Sequence, residues 1–371
     1  MSWPYVLCDL SGTAIGELRA FSRAFTPAIS QPAQASAVIR QDDPLWSRVA
    51  AGQSKLKVYN SVGDLVLYGP LISDEEVADA SSGPGVTVKI TAADQIWELS
   101  KRYFAADSTG VGLSYEFVEA GVIAFDILDR CNDDYPTGIT AGETGGHFVS
   151  RTVTYLWKNA LQAIGELGAI EGSYEWTTRY VDGSPPIVYL DLSPELGDDR
   201  TGEVALDYGT GQNNVQTYDK LRSIDQQATT VWALGSGSTL VAESQDTAAE
   251  NFYKARREDV VTYGDITVEE LLAALAAENL ALRKDPYQIV QLGWRTAGAK
   301  YSSVDGEPLS SQITPRYGVD YFLGDWLSAH VVVNGLVRVN GAVRVWGAQI
   351  NIDELGNEAA TLTLVPQQGV V

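Results

Sequence analysis

Residues 326–352 read WLSAHVVV-NG-LVRV-NG-AVRVWGAQINI, three apolar runs separated by Asn334-Gly335 and Asn340-Gly341. An Asn-Gly pair between apolar runs signals a two-residue hairpin turn. Both central residues of the favoured turn need positive φ, which Gly adopts freely and Asn tolerates. The stretch therefore predicts strands over 326–333, 336–339 and 343–352, with a tight turn at each pair. Further apolar runs over 229–234, 287–294 and 361–365 predict more strands in the same region. One helix interrupts them, at 265–285. Thr267 and Glu270 form a capping box before Val268, Leu271, Leu272 and Leu275, and Asp285-Pro286 stops the helix.

The opening of the chain has the same character. Residues 3–10 form a partly alternating run that stops at Ser11-Gly12, and 55–59 leads through Asn60-Ser61-Val62-Gly63-Asp64 into a hairpin partner at 65–72. A turn at Ser81-Ser82-Gly83-Pro84-Gly85 precedes a strand at 86–92 with Val86, Val88 and Ile90 on one face. A helix over 94–104, capped by Asp94 and carrying Ile96, Trp97, Leu99 and Tyr103, closes this part. Between the two β-rich regions the spacing changes. Val122, Ile123, Ile127, Leu128 and Cys131 give a helix over 118–131, ended by Asn132-Asp133-Asp134-Tyr135-Pro136. Trp157, Ala160, Leu161, Ile164 and Leu167 give a second over 152–167 with Gly168 as C-cap. Strands at 174–180 and 187–192 follow, split by Asp182-Gly183-Ser184-Pro185-Pro186. The fold class is α+β, mainly β: a β-domain over 1–105, an α+β insertion over 106–210, and a second β-domain over 211–371. No fixed-period repeat and no low-complexity tract occur.

The chain has 371 residues, 45% of them hydrophobic, enough for packed cores. Its 48 acidic residues exceed its 26 basic ones, for a net charge of −22. That surface repels phosphate and argues against tight nucleic-acid binding. The two cysteines, Cys8 and Cys131, lie in apolar surroundings and read as buried thiols of a reducing compartment. No basic segment leads an apolar run at the start, and no apolar stretch approaches membrane-spanning length. The mature protein is therefore expected to begin at Met1, with no membrane insertion.

Chemistry has few places to reside. The two histidines, His147 in a Gly-rich loop and His330 in an expected strand, have no partner at triad or zinc spacing. Gly235-Ser236-Gly237-Ser238 lacks the spacing of a nucleophile elbow and reads as a loop. Paired carboxylates, with nine tryptophans and eighteen tyrosines, leave a glycan-active or glycan-binding protein as the rival. Trp97, Trp157, Trp232, Trp294 and Trp346 nevertheless fall within apolar runs, where core packing accounts for them. Asp42-Asp43, Asp74-Glu75-Glu76, Asp133-Asp134 and Asp198-Asp199 lie in turn-like sequence and read as solvated loops, not calcium sites. No catalytic, cofactor-binding or metal-binding residue is named, and no cofactor is expected.

Three segments carry a resemblance: Leu7-Cys8-Asp9-Leu10-Ser11-Gly12-Thr13-Ala14-Ile15-Gly16-Glu17-Leu18, Ala93-Asp94-Gln95-Ile96-Trp97-Glu98-Leu99-Ser100-Lys101-Arg102, and Tyr317-Gly318-Val319-Asp320-Tyr321-Phe322-Leu323-Gly324-Asp325-Trp326. In this order, with the β, α+β, β plan, the chain resembles the minor tail or tail-tip hub proteins of long-tailed actinobacteriophages (siphoviruses). The relatives of these proteins include baseplate hubs with two tail-tube-like β-barrels. The resemblance implies two such barrels flanking the α+β insertion and a non-enzymatic virion protein at the tail tip, made in the host cytoplasm. It also implies self-association as a homotrimer around the DNA channel. Its partners would be the distal tail protein or tail tube, other tail-tip and fibre proteins, and the tape measure protein, with DNA passing without specific binding. Two barrels in each of three copies would match a six-fold tube. As a departure from that family, no lysozyme, peptidase or fibre-like extension is expected after Val365, so host-wall digestion is expected to reside elsewhere. A hexameric distal tail ring is the alternative within the same class.

Overall fold

The computed structural model describes residues 3–78, 86–104, 113–155, 157–169, 172–211, 213–235, 239–263, 269–295 and 314–366. Strand dominates, as alternation and turn residues predicted at both ends of the chain. The principal sheet has thirteen strands and draws on both ends of the sequence. From the N-terminal side come Tyr5–Cys8, Ala14–Glu17, Ser22–Thr26, Gln34–Arg40, Lys55–Tyr59, Leu65–Ala78 and Val86–Ala93. From the C-terminal side come Ala205–Tyr208, Thr217–Ser223, Tyr287–Arg295, Trp326–Val333, Leu336–Asp353 and Glu358–Pro366.

Two long strands organise it in the same way. Leu65–Ala78 first pairs with Lys55–Tyr59, then, past a register slip between Leu71 and Ser73, with Val86–Ala93. Leu336–Asp353 begins as the hairpin partner of Trp326–Val333 and pairs with Glu358–Pro366 through a slip between Val345 and Gly347. An extra residue in one strand bends it and sharpens its twist, so each long strand turns a corner in the sheet. At the first corner Gly69 is obligatory, because a Cβ there would lie 2.1 Å from the Ala93 carbonyl oxygen. Past the second corner, residues 350–353 pair with 25–22, joining the two ends of the chain.

The core follows the sheet. Trp3, Tyr5, Phe25, Ile39 and Leu67 pack in one buried cluster with Leu292, Trp294, Val345, Ile350 and Leu364. The described sheets are open and not closed barrels. A second core lies under the intervening segment. There the helices Ala120–Asp134 and Ala160–Gly168 bury Ile123, Ile127, Leu128, Ile164 and Leu167 against Trp176, Val188 and Leu190 of a three-stranded sheet. A third, smaller unit sits between the paired strands Thr217–Ser223 and Tyr287–Arg295. Here the helix Glu269–Arg283 covers a sheet of Thr230–Leu234, Val241–Gln245 and Glu258–Thr262.

Several local expectations change. Asn334 (φ 52°) and Gly335 (φ 76°) form the expected turn, with Val333 opposite Leu336. Asn340-Gly341 is not a turn: it lies within the strand Leu336–Asp353, opposite His330 and Ala329. Once the first pair has reversed the chain, cross-strand bonding and the apolar run to Ile352 favour continued extension over the second local signal. The helix expected over 152–167 starts only at Ala160, since Ser150–Tyr155 is a strand paired with Leu113–Glu119. Gly168 ends that helix without capping it, and Ala169 is the C-cap. The segment after Asp94 is a 3-10 helix, Gln95–Lys101, and Asp94 caps it by accepting from the Ile96 amide at 2.7 Å. Thr267 and Val268 of the expected capping box, Ser81–Gly85 and Ser236–Ser238 lie outside the described residues.

Candidate functional site

The residues singled out for chemistry stay apart. His147 is fully exposed beside Glu119, and His330 lies 3.9 Å from Asp207, with no nucleophile joining either pair. Among the described residues no group of three or more metal-ligating side chains converges. Cys8 and Cys131 are buried and free, and burial pushes the Cys8 thiol up to about 11, the wrong direction for a nucleophile. Trp294 is buried as expected, but Trp157 is 66% exposed with φ 54°, at a bend before the short strand Lys158–Asn159 that leads into the helix, and not on the helix's stripe. The acidic pairs divide as well. Asp43 is buried and accepts from the Arg19 and Leu45 amides, whereas Asp74-Glu75-Glu76 are exposed on a strand, not in a turn.

What the fold does build is a rigid frame with two charged sheet edges. The frame is the strand Glu175–Val181 laid against the principal sheet. Arg344 donates to both Glu175 carboxylate oxygens at 2.7 and 2.5 Å and to the Leu196 and Gly324 carbonyls. Ser30 and Trp176 exchange two hydrogen bonds, each of 3.1 Å. Thr178 donates to Asp94, and Lys57 and Tyr59 donate to Asp182 just past the strand. Burial pushes the Asp94 carboxyl up to about 6, although the Thr178, Ile96 and Ala33 donors pull it down.

One edge of the principal sheet is Thr217–Ser223, whose ladder partner is Tyr287–Arg295. Lys220 and Tyr218 stand opposite the buried Val290 and Leu292, so Tyr218, Lys220 and Arg222 share the face that elsewhere forms the core. Tyr208 stacks near Tyr218 with ring centroids 6.1 Å apart. Burial, then Arg222 and Arg338, lower the Lys220 ammonium below the ordinary lysine value, so three cations crowd one lip. The sheet order ends at Ala14–Glu17, but a second open flank lies along the outer half of Leu65–Ala78, beyond its pairing with Lys55–Tyr59. There Asp74 and Glu76 stand opposite the buried Ile90 and Val88 and are themselves exposed. Sequence reading passed over the first and took Asp74-Glu75-Glu76 of the second for a solvated loop. The available signal was alternation with charges in the apolar slots, as in Tyr218-Asp219-Lys220-Leu221-Arg222.

The fold as a whole has solved counterparts. A tail protein from Neisseria meningitidis superposes with a TM-score of 0.67 at 12% identity, over 100% of this chain and 98% of that one. A 43 kDa tail protein of a Shewanella oneidensis prophage gives 0.65 at 14% identity, over 98% and 97%. An E. coli component of the type VI secretion system, described as structurally similar to tail proteins gp27 and gp5 of bacteriophage T4, gives 0.53 at 10% identity, over 100% and 76%. No family model and no curated protein matches the sequence. The chain has, over its full length, the fold of solved phage tail proteins.

Proposed function

We propose that this chain is a structural, non-enzymatic component of a phage tail tip. In this reading it is a hub that assembles as a ring, most simply a homotrimer, around the DNA channel and joins the tail tube to the distal tip. The observation that carries the reading is the end-to-end correspondence with two tail proteins, in which nearly the whole of each chain is covered. The open sheets support it, since β-rich halves whose described sheets are open can complete barrel walls through neighbouring copies. The net charge of −22 suits a channel wall that must pass DNA without holding it. In this role the chain would contact the distal tail protein or tail tube above, and fibre, tip and tape measure proteins nearby.

Imaging of intact particles tests the assignment. Three-fold density for this chain at the tail tip, with acidic side chains lining the bore, is the expected result. Density on the outside of the particle, a basic inner wall, or turnover of peptidoglycan or glycan lost on changing one carboxylate would overturn it. Six copies per particle would favour a distal tail ring.

A further inference from the structure

The two charged edges answer each other. On Thr217–Ser223 the core-side face ends in Lys220 and Arg222, with Arg338 beside them, and the outer face carries the exposed Asp219 and Leu221. On the outer half of Leu65–Ala78 the core-side face ends in Asp74 and Glu76, and the outer face carries the exposed Glu75 and Val77, so the first flank has an excess of cations and the second only carboxylates. Lys220 is half-buried there, whereas Arg222, Asp74 and Glu76 are exposed, and Asp74 accepts the Ala51 amide at 2.7 Å, so each of these carboxylates and cations keeps free bonding capacity toward the open side. Inward charge on an edge can serve only to block aggregation, and either edge alone fits that purpose. The two together do more, because their signs are opposite and their charged faces correspond.

We propose, building on the ring reading above, that the partner of each edge is a second copy of this chain. The strand Thr217–Ser223 of one copy lies beside residues 73–78 of the next, so that Lys220, Arg222 and Arg338 meet Asp74 and Glu76. In that arrangement the inner faces of the two sheets run together, and Tyr208 and Tyr218, already packed on the core, are covered from the open side. Pairing of like edges sets cation against cation or carboxylate against carboxylate. Two-fold self-association is therefore disfavoured, and head-to-tail association, which closes into rings, is selected. The overall acidity of the chain argues against DNA as the occupant of the cationic lip, since long-range repulsion acts on a polyanion before it reaches three local charges.

Full-length chains with reversed edges give the test. One variant carries Lys220→Glu and Arg222→Glu, the second Asp74→Lys and Glu76→Lys, and the third all four changes. Mass in solution is followed against concentration and salt, with melting temperatures confirming that each variant folds. Each two-site variant alone is expected to self-associate at least about tenfold more weakly than the wild type, from loss of close charge pairs. The two mixed together, and the four-site variant alone, are expected to recover association. Association of the two-site variants at wild-type strength overturns the edge pairing. So does failure of both the mixture and the wild type to associate at any concentration, or a DNA affinity lost in the first variant with mass unchanged. None of these results bears on whether the chain sits at the tail tip, which particle imaging decides separately.

Discussion

The hairpin Glu175–Val181 and Ile187–Ser193 is tied to the principal sheet by an ion pair at each end, and the two ends are built differently. At the base, Arg344 and Glu175 are both largely buried, bonded through two parallel contacts, with two of the three remaining guanidinium hydrogens on the Gly324 and Leu196 carbonyls. At the tip, Lys57 is buried but Asp182 is half exposed. The Lys57 ammonium also bonds the Gly183 carbonyl at 2.6 Å. Burial raises the Asp182 carboxyl, yet the hydrogen bonds from Lys57 and Tyr59 outweigh it and leave it below the usual carboxylate value. The base is a planar fork holding a fixed geometry, while the tip is a point charge that water partly screens. A joint of the first kind sets an angle between two bodies. The second kind mainly prevents separation.

The largest expected effect is at the base. Arg344→Ala leaves the Glu175 carboxylate largely buried with no cation, and should cost about 3–5 kcal/mol in denaturant unfolding. A loss no larger than that at the tip would erase the distinction between the two joints. Next comes the middle of the strand, at Asp94. Burial raises its carboxyl to about 6, so the folded state binds a proton that the unfolded state does not between about pH 4 and 6. Stability from this group is therefore greatest at the acid end and falls as pH rises through about 6, by up to about 3 kcal/mol. Melting curves across that range should show the wild type losing ground against Asp94→Asn as pH rises, and parallel curves would count against a protonated Asp94. At the tip, Asp182→Asn leaves Lys57 its carbonyl partner and should cost about 1–2 kcal/mol, part of it removable by salt.

The smallest test sharpens the same point, that surroundings decide what a residue contributes. Asn334→Val forces a β-branched residue into positive φ and should cost about 1–2 kcal/mol. Asn340→Val, on an exposed face of a continuous strand, should change stability by less than about 0.5 kcal/mol. Equal costs would place a turn at both Asn-Gly pairs.

Those two pairs also mark the limit of reading this fold from sequence. Turn and strand residues located Lys55–Tyr59, Thr230–Leu234, Trp326–Val333 and the Asn334 turn, because each depends on neighbours in the chain. The strands Ser22–Thr26 and Gln34–Arg40 were not foreseen. They are short and small-residue-rich, and they are strands because of what they pair with, including residues 350–353 from the far end. Trp157 was misassigned because its helical spacing to Ala160, Leu161 and Ile164 is real, while the helix starts three residues later. The edges escaped notice for the same reason as Arg344 and Glu175: their meaning lies in which face of which strand they occupy, and in a net charge of −22 no single cation stands out.

The junction of residues 22–25 with 350–353 has a consequence for how the chain is made. Trp3 donates its indole hydrogen to Glu358 at 2.7 Å, and residues 22–25 pair with 353–350, so these two contacts of the N-terminal strands form only after more than three hundred further residues have been made, although Tyr5–Cys8 finds its ladder partners nearby at Ala14–Glu17 and Lys55–Tyr59. The α+β segment, whose helices and sheet contact one another over short spans, can fold while translation continues. Until residues 350–353 arrive, Ser22–Thr26 has only one of its two ladder neighbours and an open flank. The sheet that joins the two regions is therefore completed only after residues 350–353 have been made, whatever has folded before them.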